Sequence, residues 1–493
     1  MNKKNWIIIL LFFCLKIYAI EIYPQNIFLD HYEIIPPLGK IKSIATSMNK
    51  IFVISDNYLL FFDKNTLELI RTTYFSQDIS LVAYDPFYDE LWISSVNSIV
   101  RYNISSGSVR EYHFNNFVKS IGLTSDKVYI LSQKKIALDR VTGKFEIVPE
   151  FPENTVWYNI FEKKLLDNYR FLSPFFYQDD LNETNDPFYQ YEITALYQDG
   201  IYLYVGTNKY GILRYNTVSL VRDRIIYGPL STYNVKLKKF NDKYYFISEA
   251  GISSLSSDGK NLWSYFRLSK KPGDFLSIGN EYIISFGSQL TKISGAVSLP
   301  ITQFGNNIIT LNFDQTSIYV GTVDGMYKIL RETREPIEFG PDRYPIYVIY
   351  PSDEQIFVGG EFATYRFDQR LNQWFQIMPW GAKDICEVKS NFYFLTVDNQ
   401  LIRYKPLGDS ILVDNDTNVI LLPYFNIYDI DSDGKILYCA TGSGINYFDP
   451  ETQLYNPIYN LPRIKYNNVA VVNEDIIAIS DNCIYRLPIK YHD

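Results

Sequence analysis

The run Asp429-Ile430-Asp431-Ser432-Asp433-Gly434 sets three carboxylates at alternate positions before a glycine. This is how a calcium loop begins, with side-chain oxygens converging on a hard cation. The rest of such a loop is missing. An EF-hand needs a bidentate acid at its twelfth position, where Ala440 stands, and a nine-position loop wants an acid where Leu437 stands. Residues 427–430 read instead as a strand, and Ser432-Asp433-Gly434-Lys435 as the hairpin that follows it. No metal is therefore expected, and Asp429, Asp431 and Asp433 are the candidates should one bind.

Histidine is almost absent: His31, His113 and His492 lie far apart in the chain. That argues against a catalytic zinc and against a histidine general base. There is no nucleophile elbow and no phosphate-cradling glycine loop. A glycosidase needs only two acids, which can be remote in sequence. Asp353, Glu354 and Glu361 are the residues to watch, although all three also read as turn residues. The expectation is a protein without bond chemistry and without a cofactor.

Binding chemistry is better represented. The chain holds 43 tyrosines and 33 phenylalanines, and aromatic platforms suit carbohydrate or peptide contact. Most of these rings belong to strands and their core. One stretch stands apart, 150–191, where Trp157, Tyr158, Phe175, Phe176 and Tyr177 precede the acids Asp179 and Asp180. It reads as a flap able to stack on a sugar or grip a partner, or else as a linker or a decayed unit whose rings are core. Trp374 and Trp380 bracket Gln376-Ile377-Met378-Pro379, read as a turn, and one of them could reach an exposed face.

These residues must be carried by strands. Short runs rich in Ile, Val, Tyr and Phe alternate with polar turns, and no long amphipathic helix follows the first twenty residues. An Asp/Asn-Gly turn, a strand, Gly-Thr, Gly and a strand closing in Tyr/Phe-Asp/Asn recur. Clear copies run through Asp199-Gly200, Gly206-Thr207, Gly211 and Tyr215-Asn216, and through Asp433-Gly434, Thr441-Gly442, Gly444 and Phe448-Asp449. The residue closing the third strand marks each unit: Asp63, Asn103, Asp139, Asn216, Asp258, Ser294, Arg331, Asp368, Lys405, Asp449 and Leu487. Steps of about 36–44 residues are the size of a four-stranded propeller blade, and the step from Asp139 to Asn216 is about double. The fold class read here is all-β, a β-propeller of about eleven four-stranded blades. That number exceeds one ring, so two rings are expected.

The order Asp-Gly, Gly-Thr, Gly, Tyr-Asp resembles the repeat of two-component-regulator propellers, the extracellular sensor propellers of some bacterial membrane kinases. Other copies, such as Asp258-Gly259-Lys260-Asn261-Leu262-Trp263, are more similar to quinoprotein-type or outer-membrane-assembly propellers. The resemblance implies blades rather than a ligand. With no membrane or signalling segment before Asp493, it implies a free-standing form of a sensor ectodomain.

Lys3 and Lys4, an apolar run over 6–15 and Ala19 read as an export signal over 1–19, so that the chain is expected in the periplasm or at the cell surface. Bulky Phe13 before Cys14 argues against a lipid anchor. No later stretch is long and apolar enough to span a bilayer. Rings over 20–270 and 271–493 are expected, with the boundary at Lys271-Pro272-Gly273. The alternative is one ring split around the other and closed by N- and C-terminal strands. Net charge of −8 with no lysine or arginine block argues against nucleic acid. Cys386, Cys439 and Cys483 sit in apolar runs and read as buried thiols, with one bridge between neighbouring sheets left open. The functional expectation is an exported binder of an envelope protein or carbohydrate. A polysaccharide-acting hydrolase or lyase, and an accessory scaffold for envelope assembly or secretion, are the alternatives.

Overall fold

Each polar turn between apolar runs becomes a hairpin in the computed structural model. It describes residues 22–24, 32–169, 171–172, 191–240, 243–256, 263–268, 270–279, 281–294, 297–331, 334–341, 343–352, 355–405, 419–472 and 474–491. The fold is all-β: the described residues form 46 strands, with two short 3-10 turns, Lys163–Asn168 and Ile489–Tyr491. The strands assemble into eleven antiparallel sheets, nine of four strands and two of five.

The repeat markers explain why the sheets look alike. Asp63, Asn103, Asp139, Asn216, Ser294, Asp368 and Asp449 each end the third strand of a sheet, while Arg331 and Lys405 directly follow one. Leu487 lies within its third strand, and Asp258 is outside the described residues. An Asp or Asn here caps the next turn with its own carbonyl or carboxylate oxygen. Asp63 Oδ1 accepts from the amides of Asn65 and Thr66 at 2.8 and 2.9 Å, and Asn216 Oδ1 from those of Val218 and Ser219 at 3.0 Å. The Gly-Thr pair has two separate tasks. Thr207, Thr322 and Thr441 donate to the carbonyls of Gly211, Gly325 and Gly444 at 2.6, 2.9 and 2.7 Å, closing the second hairpin. The preceding glycine makes room for the neighbouring sheet: a Cβ at Gly206 would stand 2.4 Å from Ile41, and one at Gly321 would stand 2.9 Å from Ile346.

The chain divides into two compact units, the first holding residues up to 172 and 191–228, the second 229–491. The boundary expected at 270/271 falls inside the second unit, between strands Trp263–Phe266 and Phe275–Ile278. Lys271-Pro272-Gly273 is an ordinary link from one sheet to the next there.

The first unit has four sheets, with first strands Ile41–Thr46, Ile79–Asp85, Ser120–Leu123 and Ile193–Asp199. Ile22–Pro24 adds to the outer edge of the first sheet, and Val156–Asn159 to the inner edge of the third. Its core includes Phe52, Phe61, Trp92, Ile93 and Tyr102. A buried side chain of this size contributes about 1.5–3 kcal/mol. The second unit has seven sheets, with first strands Lys236–Phe240, Phe275–Ile278, Ile308–Phe313, Ile346–Pro351, Ala382–Val388, Ile427–Ser432 and Asn468–Val472. The last of these sheets draws three strands from this unit, Asn468–Val472, Asp475–Ile479 and Ile484–Pro488. Cys386, Cys439 and Cys483 are buried and free.

Registers place the turns. In the sheet starting at Ile346, Ile346 pairs with Gly360, Gly359 with Thr364 and Thr364 with Met378. The start of the first strand, the second turn and the end of the fourth strand therefore share one end of the sheet. The first and third turns share the other.

Candidate functional site

Strand Val156–Asn159 carries two of the sequence candidates. It pairs with the first strand of the third sheet, Tyr158 opposite Ile121 and Trp157 opposite Gly122. A side chain at Gly122 would collide with the Trp157 ring at 2.8 Å. Trp157 is half-buried and meets Phe151 edge-on, with centroids 4.8 Å apart. Tyr158 is buried, donates its hydroxyl to the Tyr84 carbonyl at 2.9 Å, and lies parallel to Tyr197 of the fourth sheet with centroids 5.9 Å apart. Burial, then the neighbouring Tyr197, pushes the Tyr158 phenol far above its ordinary range. These rings line a cavity of about 230 Å³ together with Lys42, Leu81, Phe161 and Leu165. Lys42 is already engaged, ion-paired with Asp78 and donating to the Ile79 carbonyl at 3.1 Å. Phe175, Phe176, Tyr177, Asp179 and Asp180 lie outside the described residues, as do Asp353 and Glu354.

Trp374 and Trp380, alike in sequence, part company in the fold. The span read as a turn between them belongs to strand Gln373–Met378, because its backbone pairs with Thr364–Asp368. Trp374 donates its ring N–H to the Phe339 carbonyl at 3.0 Å and packs against Phe339 and Phe367, with centroids 5.5 and 5.0 Å away. Trp380 sits on the link to the next sheet and is 47% exposed.

The aspartates of the calcium-like run do separate jobs. Asp429 Oδ2 accepts the Val469 amide at 2.9 Å and Asp431 Oδ2 the Val471 amide at 2.6 Å, tying one first strand to the next. Asp433 Oδ1 caps its turn through the amides of Lys435 and Ile436 at 2.8 and 2.7 Å. Among the described residues, no group of three or more His, Cys, Asp or Glu is placed to hold a metal ion.

Sequence reasoning missed that this tying recurs around the second unit. Asp384 Oδ2 accepts the Ile430 amide at 3.2 Å, Asn312 donates to the Ile349 carbonyl at 2.7 Å, and Asp274 accepts the Leu311 amide at 2.6 Å. Asp274 is fully buried between Lys236 and Lys238, both at 2.8 Å. Burial works to raise the Asp274 carboxyl, yet the two ammonium groups hold it below the usual range. Burial pulls Lys238 down to about 8 against the attraction of Asp274. Burial raises Asp384, Asp429 and Asp431, the last to about 6, and the charge of Asp384 adds to the rise at Asp429. An Asp or Asn in or just before an apolar first strand, as at Asp274, Asn312, Asp384 and Asp429, was the signal that could have revealed the series.

One further arrangement gathers exposed side chains. Tyr233, Phe362, Trp380 and Tyr459, 60%, 65%, 47% and 66% exposed, are the strongly exposed aromatics of the second unit among the described residues. All four sit on second turns or on links between sheets, and so at the same end of their sheets. Val323, Val397 and Ile464 join them there. This end is framed by a repeated bond: the amides of Val323, Glu361 and Val397 donate to the carbonyls of Asn307, Pro345 and Gly381, each at 3.1 Å.

No family model and no curated protein matches the chain. Solved structures similar to it include the extracellular domain assigned to a one-component system, BT4673, from B. thetaiotaomicron, at 12% identity, covering 92% of this chain and 75% of that one, with a TM-score of 0.41. The WD40 β-propeller domain of Doa1 is similar at 12% identity over 52% of this chain and 93% of that one, TM-score 0.40. BamB from Moraxella catarrhalis is similar at 10% identity over 59% and 95%, TM-score 0.39. Identities this low with TM-scores below 0.5 assign neither family nor activity.

Proposed function

We propose that the chain is an exported, non-enzymatic β-propeller protein of two rings that holds a protein or glycan partner in the bacterial envelope. In this reading the four sheets of the first unit make one ring and the seven of the second make the other. The side-chain ties from first strand to first strand support closure, since each joins neighbouring sheets at their inner edges. Export rests on Lys3, Lys4 and the apolar run over 6–15.

The observation that carries binding is the placing of Tyr233, Phe362, Trp380 and Tyr459 at one end of the second unit's sheets. Scattered exposed apolar groups need no explanation, but their gathering at one end of the sheets favours an interaction surface. Absence of bond chemistry rests on the scarcity of histidine and on Asp429 and Asp431 being committed to backbone amides. The test compares the wild type with a Phe362→Ser/Trp380→Ser variant on a glycan array and in pull-downs from the envelope fraction. Loss of the captured partner at unchanged Tm is the expected result. Retention of every partner by the variant sinks the reading.

A further inference from the structure

Three consecutive sheets of the second unit repeat one pattern on their second turns: Val323-Asp324, Glu361-Phe362 and Val397-Asp398. Each offers one exposed apolar side chain and one carboxylate at the end described above. Trp380 stands on the link between the second and third of these sheets. Among the described residues, Asp324, Glu361 and Asp398 make no ion pair within bonding distance, although Asp324 accepts from the Asn306 side-chain amide at 3.5 Å and lies in the field of Arg343. The nearest exposed cation on these links, Arg343, is held bidentately by Glu338 at 2.9 and 3.1 Å. Lys383, on the first strand, donates to the neutral Asn399, and its charge faces Asp384 and Asp429. Arg463 and Lys465 make the link beyond, beside Tyr459, a basic sector outside this arc. The arc is thus apolar and net acidic, in a surface where the other cations are engaged or elsewhere.

We infer that this arc, resting on the binding reading above, docks an extended cationic peptide segment of a partner protein, with apolar side chains on Phe362 and Trp380 and Lys or Arg side chains on Asp324, Glu361 and Asp398. Charge complementarity selects the sign of the partner, since a cation meets unpaired carboxylates here and an anion would be repelled. The extended form follows from the repeat: a strand presents side chains alternately, and a receptor offering an apolar group and an acid sheet after sheet matches that alternation. A neutral glycan would use the rings but has no charge to offer the three carboxylates.

The experiment titrates the full chain with a labelled (Lys-Val)4 peptide, with (Glu-Val)4 and (Ser-Val)4 as charge controls and cellohexaose as a neutral glycan, at low and high salt. The expected result is binding of the lysine peptide alone, weakened by salt. Asp324→Asn/Glu361→Gln/Asp398→Asn is expected to weaken it about tenfold, as three exposed charge pairs of modest worth would together. Phe362→Ser/Trp380→Ser should weaken it further, with circular dichroism melts unchanged in both variants. Equal binding of the three peptides, or no effect of the charge variant, overturns the inference. Cellohexaose binding that only the aromatic variant abolishes also overturns it, while leaving the binding reading intact. If neither variant alters binding of any probe, both readings fail.

Discussion

Turns in the first unit that join first to second and third to fourth strands carry Met48, Phe87, Tyr88, Val141, Ile201 and Val218, all exposed. In the second unit the same end shows Val297, Leu371 and Leu454 but no strongly exposed aromatic among the described residues, and the exposed aromatics stand at the opposite end of the sheets. The inner edges differ as well. In the first unit an added strand supplies Tyr158, which bridges the second and fourth sheets by bonding Tyr84 and stacking on Tyr197. Polar side chains reach from one first strand to the backbone of the next in both units, through Lys42, Ser43 and Thr194 in the first and through the buried carboxylates of Asp274, Asp384 and Asp429 in the second. The first unit therefore adds aromatic packing to these ties, while the second makes them with buried carboxylates. Which is used decides how each unit responds to substitution and to pH.

The largest effects should come from each unit's buried charge. Asp85 is fully buried with Arg140 and accepts the Trp92 ring N–H at 3.1 Å, while Asp274 serves two lysines and an amide. Asp85→Ala and Asp274→Ala should each cost about 3–5 kcal/mol, the usual result of stranding a buried partner. Hydrogen exchange should show lost protection in the first unit alone for Asp85 and in the second alone for Asp274. Loss across both units in either variant would break the comparison.

A smaller contrast lies within the second unit. Trp374→Ala removes a packed ring and its hydrogen bond, and should cost about 3 kcal/mol in denaturant unfolding. Trp380→Ala should stay within about 0.5 kcal/mol, as exposed positions do. Similar costs at the two would remove Trp380 from the exposed end.

The mildest effect is a pH slope confined to the second unit. Asp384, Asp429 and Asp431 are raised by burial, so the folded chain keeps protons that the unfolded chain releases above about 4. Their contribution is full below that pH and is lost as pH rises through the folded values, about 6 for Asp431. Carboxyls of the first unit such as Asp199 shift the other way: burial opposes it, but Lys64 and Thr46 hold it low, so its contribution is present above about 4 and lost on acidification. Urea midpoints between pH 4.5 and 8 should fall for the second unit and not for the first. Asp429→Asn, which keeps an oxygen for the Val469 amide and offers an N–H to Asp384, should flatten the fall. A wild-type midpoint in the second unit that is level or rising over this range would contradict the assignment.

Much of the strand order was legible because it is local. Asp63, Asn103, Asp139 and Asn216 mark the ends of third strands through bonds to amides two or three residues on, a pattern the sequence displays directly. The Gly-Thr pairs were legible as turns, but not the approach of Ile41 to Gly206, which depends on a residue far away in the chain. Trp374 and Trp380 could not be separated, because composition does not tell the strand that runs on from Trp374 to Met378 from a turn. Nor could the arc be foreseen, since Val323, Phe362 and Val397 reach the same end of their sheets only through the strand registers.

By itself, then, the sequence determined the unit: a hairpin-rich sheet whose turns are set by Asp, Asn, Gly and Thr acting within a few residues. Tertiary structure decided the uses of these sheets. It placed Asp429 and Asp431 on the amides of a strand forty residues on, and turned Tyr158 inward against Tyr197. It also brought the exposed rings of the second unit to one end. Turn chemistry is short-range and survives in any context, whereas burial and partnership depend on which strand arrives next door.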